Sequence, residues 1–110
     1  ESNDRWHIQH ALEEFQDGTV YMLLHQATQI LKIGFSSQPK KRIATHRATV
    51  PGELTLIGTL NGTAVLEKNI HEELAPYRVP GRKEWFFYTP EVQRYTAIIL
   101  GPRNTMELLT

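Results

Sequence analysis

The stretch "TVYMLLHQATQILKIGFS", residues 19–36, decides the fold. It reads as two strands, 19–25 and 29–36, around a short polar turn at Gln26–Thr28. The second arm is odd for a strand. Lys32 sits within it and Gly34 interrupts it, whereas strands gain from β-branched and aromatic residues and lose with glycine. Directly opposed residues of a hairpin point to one face. A two-residue turn at Gln26-Ala27 would set Tyr21 beside Lys32, and a slip of one residue would part them. The plain structural reading is a core tyrosine and an edge lysine facing water.

Upstream, "DRWHIQHALEEFQ" spaces Trp6, Leu12 and Phe15 near a helical period behind a possible Asp4 cap, which predicts a helix over 5–16. Asp17-Gly18 ends it. Downstream, Pro39 opens a helix, "PKKRIATHRA", and Pro51-Gly52 breaks the chain. "ELTLIGTL", residues 53–60, alternates like a half-buried strand. Asn61-Gly62-Thr63 leads into "AVLEKNIHEELAPYR", a helix over 64–78 with Leu66, Ile70 and Leu74 on one stripe. "VPGRK" is a basic loop and "EWFFY" an aromatic strand. Thr89-Pro90 starts a last helix with Val92, Tyr95, Ile98 and Ile99 facing inward. The expected class is α/β of the α+β kind: a small, mainly antiparallel three-stranded sheet flanked by helices. The expected organisation is a helical extension over 1–17, one folded unit over 18–90, and a helix and tail over 91–110 packed on that unit.

The 110 residues make one domain's worth of chain. With 40% apolar and 22% charged residues the composition is that of an ordinary globular domain. The chain has no cysteine, which excludes disulfides, cysteine–zinc sites and thiol nucleophiles. That fits a reducing compartment, so a cytoplasmic location is expected. No apolar run approaches the ~20 residues that span a bilayer, and no membrane partner is expected. The polar start "ESNDRWH" does not read as a signal peptide and lacks an initiator Met, as in an excised domain. Formal net charge is zero, so any nucleic-acid role rests on local clustering.

Such a cluster exists at Lys40, Lys41 and Arg42, in the first turn of a helix. Helix starts favour acids, so a basic start lacks a stability rationale that an anionic ligand would supply. The alternative is a solvated charge run. His46 lies four residues beyond Arg42, on the same face, within reach of a bound phosphate. Glu67 and His71, at i and i+4, border the Leu66 stripe, and Arg78 joins them if the helix continues. They read either as a metal and phosphate site or as a surface ion-pair series. His7, His10 and His25 show no zinc spacing. "WFF" at 85–87 alternates faces, so at least one ring packs inward.

The ordered set resembles the GIY-YIG nuclease superfamily. It comprises Gly18-Thr-Val-Tyr21, Lys32-Ile-Gly34-Phe-Ser, Pro39-x-x-Arg42, Glu67-x-x-x-His71, Tyr77-Arg78-x-x-Gly81 and Glu84-Trp85-Phe86. It is most similar to the phage and bacterial branch whose second motif reads KIG. The resemblance covers residues 18–88. It implies a metal-dependent endonuclease acting on DNA, with Tyr21 activating water and Glu67 holding Mg²⁺ or Mn²⁺. Arg42 and Lys32 would stabilise the phosphate. Lys32 stands where the founding pattern has a second tyrosine; the asparagine that many members carry near the end has no match here, and Glu84 lies in that region. In this reading Lys32 and the metal lower the Tyr21 pKa, and Gly34 leaves room for substrate. Lys40, Lys41, His46, His71, Arg78 and Arg82, with Lys83, contact the DNA. Specificity would come from a targeting domain in a longer chain or from a homodimer. The alternatives are a catalytically silent nucleic-acid-binding or regulatory module on the same fold, and a protein-interaction domain using the first helix and "WFFY".

Overall fold

The computed structural model describes residues 17–109, with side chains to residue 101. The helix expected over 5–16, with His7 and His10, lies outside the described residues. Four strands form one antiparallel sheet: β1 (Gly18–His25), β2 (Ile30–Ser36), β3 (Leu54–Gly62) and β4 (Trp85–Phe87), in spatial order β3-β1-β2-β4. Helix α1 (Pro39–Thr49) follows β2, α2 (Ala64–Glu73) follows β3, and α3 (Pro90–Leu109) closes the chain. The α+β class is as the sequence predicts. The sheet has a fourth strand because the aromatic run pairs with β2, Trp85 opposite Lys32 and Phe86 opposite Leu31.

β1 is central, hydrogen-bonded to β2 on one edge and to β3 on the other. Its residues Val20–Leu24 are buried without alternation, because both faces of the sheet are covered. One face holds Val20, Met22, Leu24, Leu31, Ile33 and Phe86 against α2 and α3. The other holds Tyr21 and Leu23 with Ile43 of α1, and Leu54 of β3. Burying each large apolar side chain contributes about 1.5–3 kcal/mol.

β3 departs from its simple alternation. Met22 pairs with Gly58 but Leu23 pairs with Leu56, so Ile57 is an extra residue in a bulge. The bulge changes which face the strand offers. Leu54 and Leu56 pack beneath α1, whereas Ile57 and Leu60 join the core of α2 and α3. Gly58 lies under Leu100 of α3, whose side chain leaves no space for a Cβ there.

Two helix expectations are corrected. The helix over 64–78 ends at Glu73, and residues 75–77 form a 3₁₀ turn, as Pro76 bars continuation of the α-helical hydrogen bonds. Within α3, Val92 and Leu100 are buried and Tyr95 and Ile99 pack on the core, but Ile98 is 79% exposed. Ile98 lies one position past the apolar stripe. α3 kinks at Gly101, whose φ of 72° suits glycine. No helix among the described residues is long and apolar enough to cross a membrane.

Candidate active site

The hairpin turn spans four residues, closed by Gln29 N–H to the His25 carbonyl, with Gln29 at φ 55°. This register sets Tyr21 opposite Gly34 and Lys32 opposite Leu23. Tyr21 and Lys32 therefore share a face, on a diagonal rather than directly opposed. A Cβ on Gly34 would fall under 3.0 Å from the Tyr21 ring. Gly34 thus gives room to the tyrosine, which occupies the space expected for substrate. The glycine that weakens the strand is what seats the phenol.

Tyr21 is 2% exposed, and its hydroxyl lies 2.9 Å from Nε2 of His46 on α1. The rings are tilted, with centroids 5.8 Å apart. Burial pushes the Tyr21 phenol up to about 12, with Glu84 and Glu67 adding to the rise and Arg42 opposing it. The lowering expected from Lys32 is not what the surroundings produce. Lys32 is committed elsewhere: its ammonium pairs with Glu84 Oε2 at 3.1 Å and stands 5.5 Å from the Trp85 ring centroid. His46 is held below the ordinary histidine range by burial, then by Lys32 and Arg42, with Glu84 opposing. Its neutral imidazole can accept the phenolic proton.

Glu67 reaches this cluster from α2, on the other side of the sheet. Glu84 comes from the start of the β4 pairing: its carbonyl accepts from Ile33 N–H, and pairing with β2 runs from there to Phe87. Burial pushes the Glu67 carboxyl up to about 7, helped by the like charge of Glu84 and opposed by Lys32. A hydrogen bond to Glu84 available only to the protonated form adds to the rise. Two carboxylates thus crowd one another, and a divalent cation between them would relieve their repulsion. Among the described residues no group of three or more His, Cys, Asp or Glu could hold a metal. Glu67 with Glu84 fits Mg²⁺ or Mn²⁺, which keep several waters and share their shell with substrate phosphates.

Lys41 and Arg42 line a polar groove of about 300 Å³ with Ser36, Ser37, Gln38 and Thr45, beside the cluster. Lys40 faces a separate groove with Ile43, Arg47 and Leu56. His71 places Nε2 2.8 Å from the Ile33 carbonyl and meets the Phe86 ring at a tilt, ring centroids 5.2 Å apart. Arg78 lies beyond the end of α2, donates to the His71 carbonyl at 3.3 Å and covers the Phe86 ring. Arg82 lines a trough with Trp85. The structure therefore brings together Tyr21, Lys32, Gly34, Arg42, His46 and Glu67, and leaves Lys40, His71, Arg78 and Arg82 outside that group. Glu84 is the member to which sequence reasoning gave no role. Its signal is a lone acid between basic "GRK" and aromatic "WFF". His46 was placed on phosphate, whereas its i+4 spacing from Arg42 also puts it on the tyrosine.

A family model, the T5orf172 domain, matches residues 18–98. The chain belongs to the T5orf172 domain family, found in phage and bacterial proteins, many of them predicted GIY-YIG-like endonucleases. The family is consistent with a nuclease-like or DNA-binding module. The match runs past residue 90, into α3. Comparison with curated proteins and with solved structures returned no match.

Proposed function

We propose that the protein is a GIY-YIG-type endonuclease hydrolysing DNA phosphodiester bonds. The observation that carries this reading is the Tyr21 hydroxyl held 2.9 Å from the His46 imidazole, in one cluster with Arg42, Glu67 and Glu84. A phenol with a pKa of about 12 is protonated at neutral pH, so it needs a base to act as one. His46 supplies it. As a water oxygen bonds to phosphorus, the water proton passes to the Tyr21 oxygen and the phenolic proton passes to His46 Nε2. The bond from phosphorus to the leaving oxygen breaks, and the imidazolium is the store from which that alkoxide regains a proton. A positioned acid–base pair of this kind contributes typically about 10²–10⁴-fold. Arg42 offers a planar fork to the non-bridging oxygens. Lys32 holds Glu84 in place and keeps it from folding away toward solvent. Glu67 and Glu84 would hold Mg²⁺ or Mn²⁺, which supplies Lewis-acid stabilisation of phosphoryl charge.

The test is nicking of supercoiled plasmid by the purified chain with Mg²⁺, Mn²⁺ or EDTA. Metal-dependent nicking is expected. DNA retention without nicking in either metal would overturn the enzymatic reading and leave a binding module on the same fold.

A further inference from the structure

The β2 face that carries the cluster continues past it. Alternate residues of a strand point the same way, so Ser36, Gly34, Lys32 and Ile30 form one row. Ser36 borders the polar groove of Lys41 and Arg42. Gly34 lies under Tyr21, and Lys32 pairs with Glu84. Ile30, at the far end, lines an open trough of about 450 Å³ with Val50, Pro51, Val79, Arg82 and Trp85. Ile30 is two residues from Lys32, roughly 7 Å along the strand. The volume falls in the range of small-ligand pockets, about 300–1,000 Å³.

The polar floor of the trough is already committed. His25 bonds Thr28 Oγ1 at 2.6 Å and the Pro51 carbonyl at 2.7 Å. Trp85 belongs to the trough and to the cluster at once, because its ring also stands 5.5 Å from Lys32 Nζ. Its backbone N–H and carbonyl bond Arg82 and Val79. Its indole N–H has no protein partner among the described residues. The trough thus combines an aromatic ring in its lining, a free donor and apolar sides, and carries an exposed arginine at its rim. Aromatic walls stack nucleobases, and an adjacent cation takes the phosphate.

Building on the nuclease reading, we infer that this trough receives one unstacked nucleobase of the substrate strand, next to the phosphodiester held at the Tyr21–Lys32 cluster. The occupant is a base rather than an apolar peptide because Arg82, exposed at the rim and in no ion pair among the described residues, complements a phosphate. The preferred substrate is then DNA with an unpaired base beside the cut, as at a bulge, flap or junction.

The test is fluorescence anisotropy with the full 110-residue chain in EDTA. One labelled duplex carries a single bulged 2-aminopurine, and the control is fully paired. The bulged duplex is expected to bind about ten-fold tighter, with the 2-aminopurine quenched. Trp85→Leu should bring the ratio to one and restore emission, and Trp85→Phe should keep most of the preference. Pro51→Phe, at an exposed position on the trough mouth, should act like Trp85→Leu without disturbing the packed indole. Equal affinities overturn the base pocket alone, provided both fall steeply with salt. A preference that survives both Trp85→Leu and Pro51→Phe also overturns it, as does a Pro51→Phe effect confined to self-association. No binding to either duplex at about 50 mM salt overturns the pocket and the nucleic-acid reading together.

Discussion

The two faces of the sheet are filled under different rules. Beneath α2 and α3, Val20, Met22, Ile33 and Phe86 are fully buried, and Thr96 of α3, a buried polar residue, is satisfied by the Gln93 carbonyl. Beneath α1, the same strands bury Tyr21 and the ammonium-bearing Lys32; His46 of α1 is pushed from its ordinary range, and so is Glu67, which reaches the cluster from α2. The difference teaches where chemistry sits on a small sheet. One face contributes the stability that lets the other hold a buried phenol and a buried cation.

The predictions separate the two faces, from the largest effect down. Tyr21→Phe should lower the cleavage rate by about 10²–10⁴-fold with DNA affinity and melting temperature nearly unchanged. His46→Ala should match it, and the double variant should be no slower than either, because the two act as one relay. Single-turnover kinetics reads this directly, and full additivity would break the pairing. On the opposite face, Met22→Ala should destabilise by about 2–5 kcal/mol in urea unfolding, with the rate per folded molecule retained. Gly34→Ala falls between the two: the added methyl meets the Tyr21 ring. It should lose about 1–3 kcal/mol of stability and cleave more slowly, since the phenol must shift.

The smallest effect is one of pH. The Glu67 carboxyl is raised from its unfolded value of 4.5 to about 7, so the folded chain binds more protons between those values. In EDTA, stability is therefore full below about pH 4.5 and declines as pH rises toward 7. For this half-exposed group the decline is on the order of 1 kcal/mol after solvent screening. Thermal melts across that window should show the slope, and Glu67→Gln should flatten it.

The hairpin, the α2 stripe and the basic start of α1 were legible because each is a local pattern of spacing. Leu66, Ile70 and Leu74 pack as their periodicity predicts. Three things were not legible, and each depends on long-range pairing. The register depends on a four-residue turn closed by Gln29, and it moved Tyr21 from Lys32 to Gly34. The β3 bulge at Ile57 divides a plain alternation between two cores. The edge pairing of "WFF" recruits β4 and delivers Glu84 to Lys32. At the site, the residues Tyr21, Arg42 and Glu67 were readable one by one. Their interactions were not: a lysine beside a tyrosine suggested a lowered phenol, whereas burial dominates and the lysine is neutralised by Glu84.

A polar cluster around Tyr21 that exists for catalysis and not for the fold should separate activity from stability. The direct test measures Glu67→Gln twice, by plasmid nicking in Mg²⁺ and by thermal unfolding in EDTA at neutral pH. The account predicts that nicking is lost while the melting temperature holds or rises, because a carboxyl that the fold destabilises has been replaced by a neutral isostere. Undiminished nicking, or a loss of nicking that tracks unfolding, would contradict it.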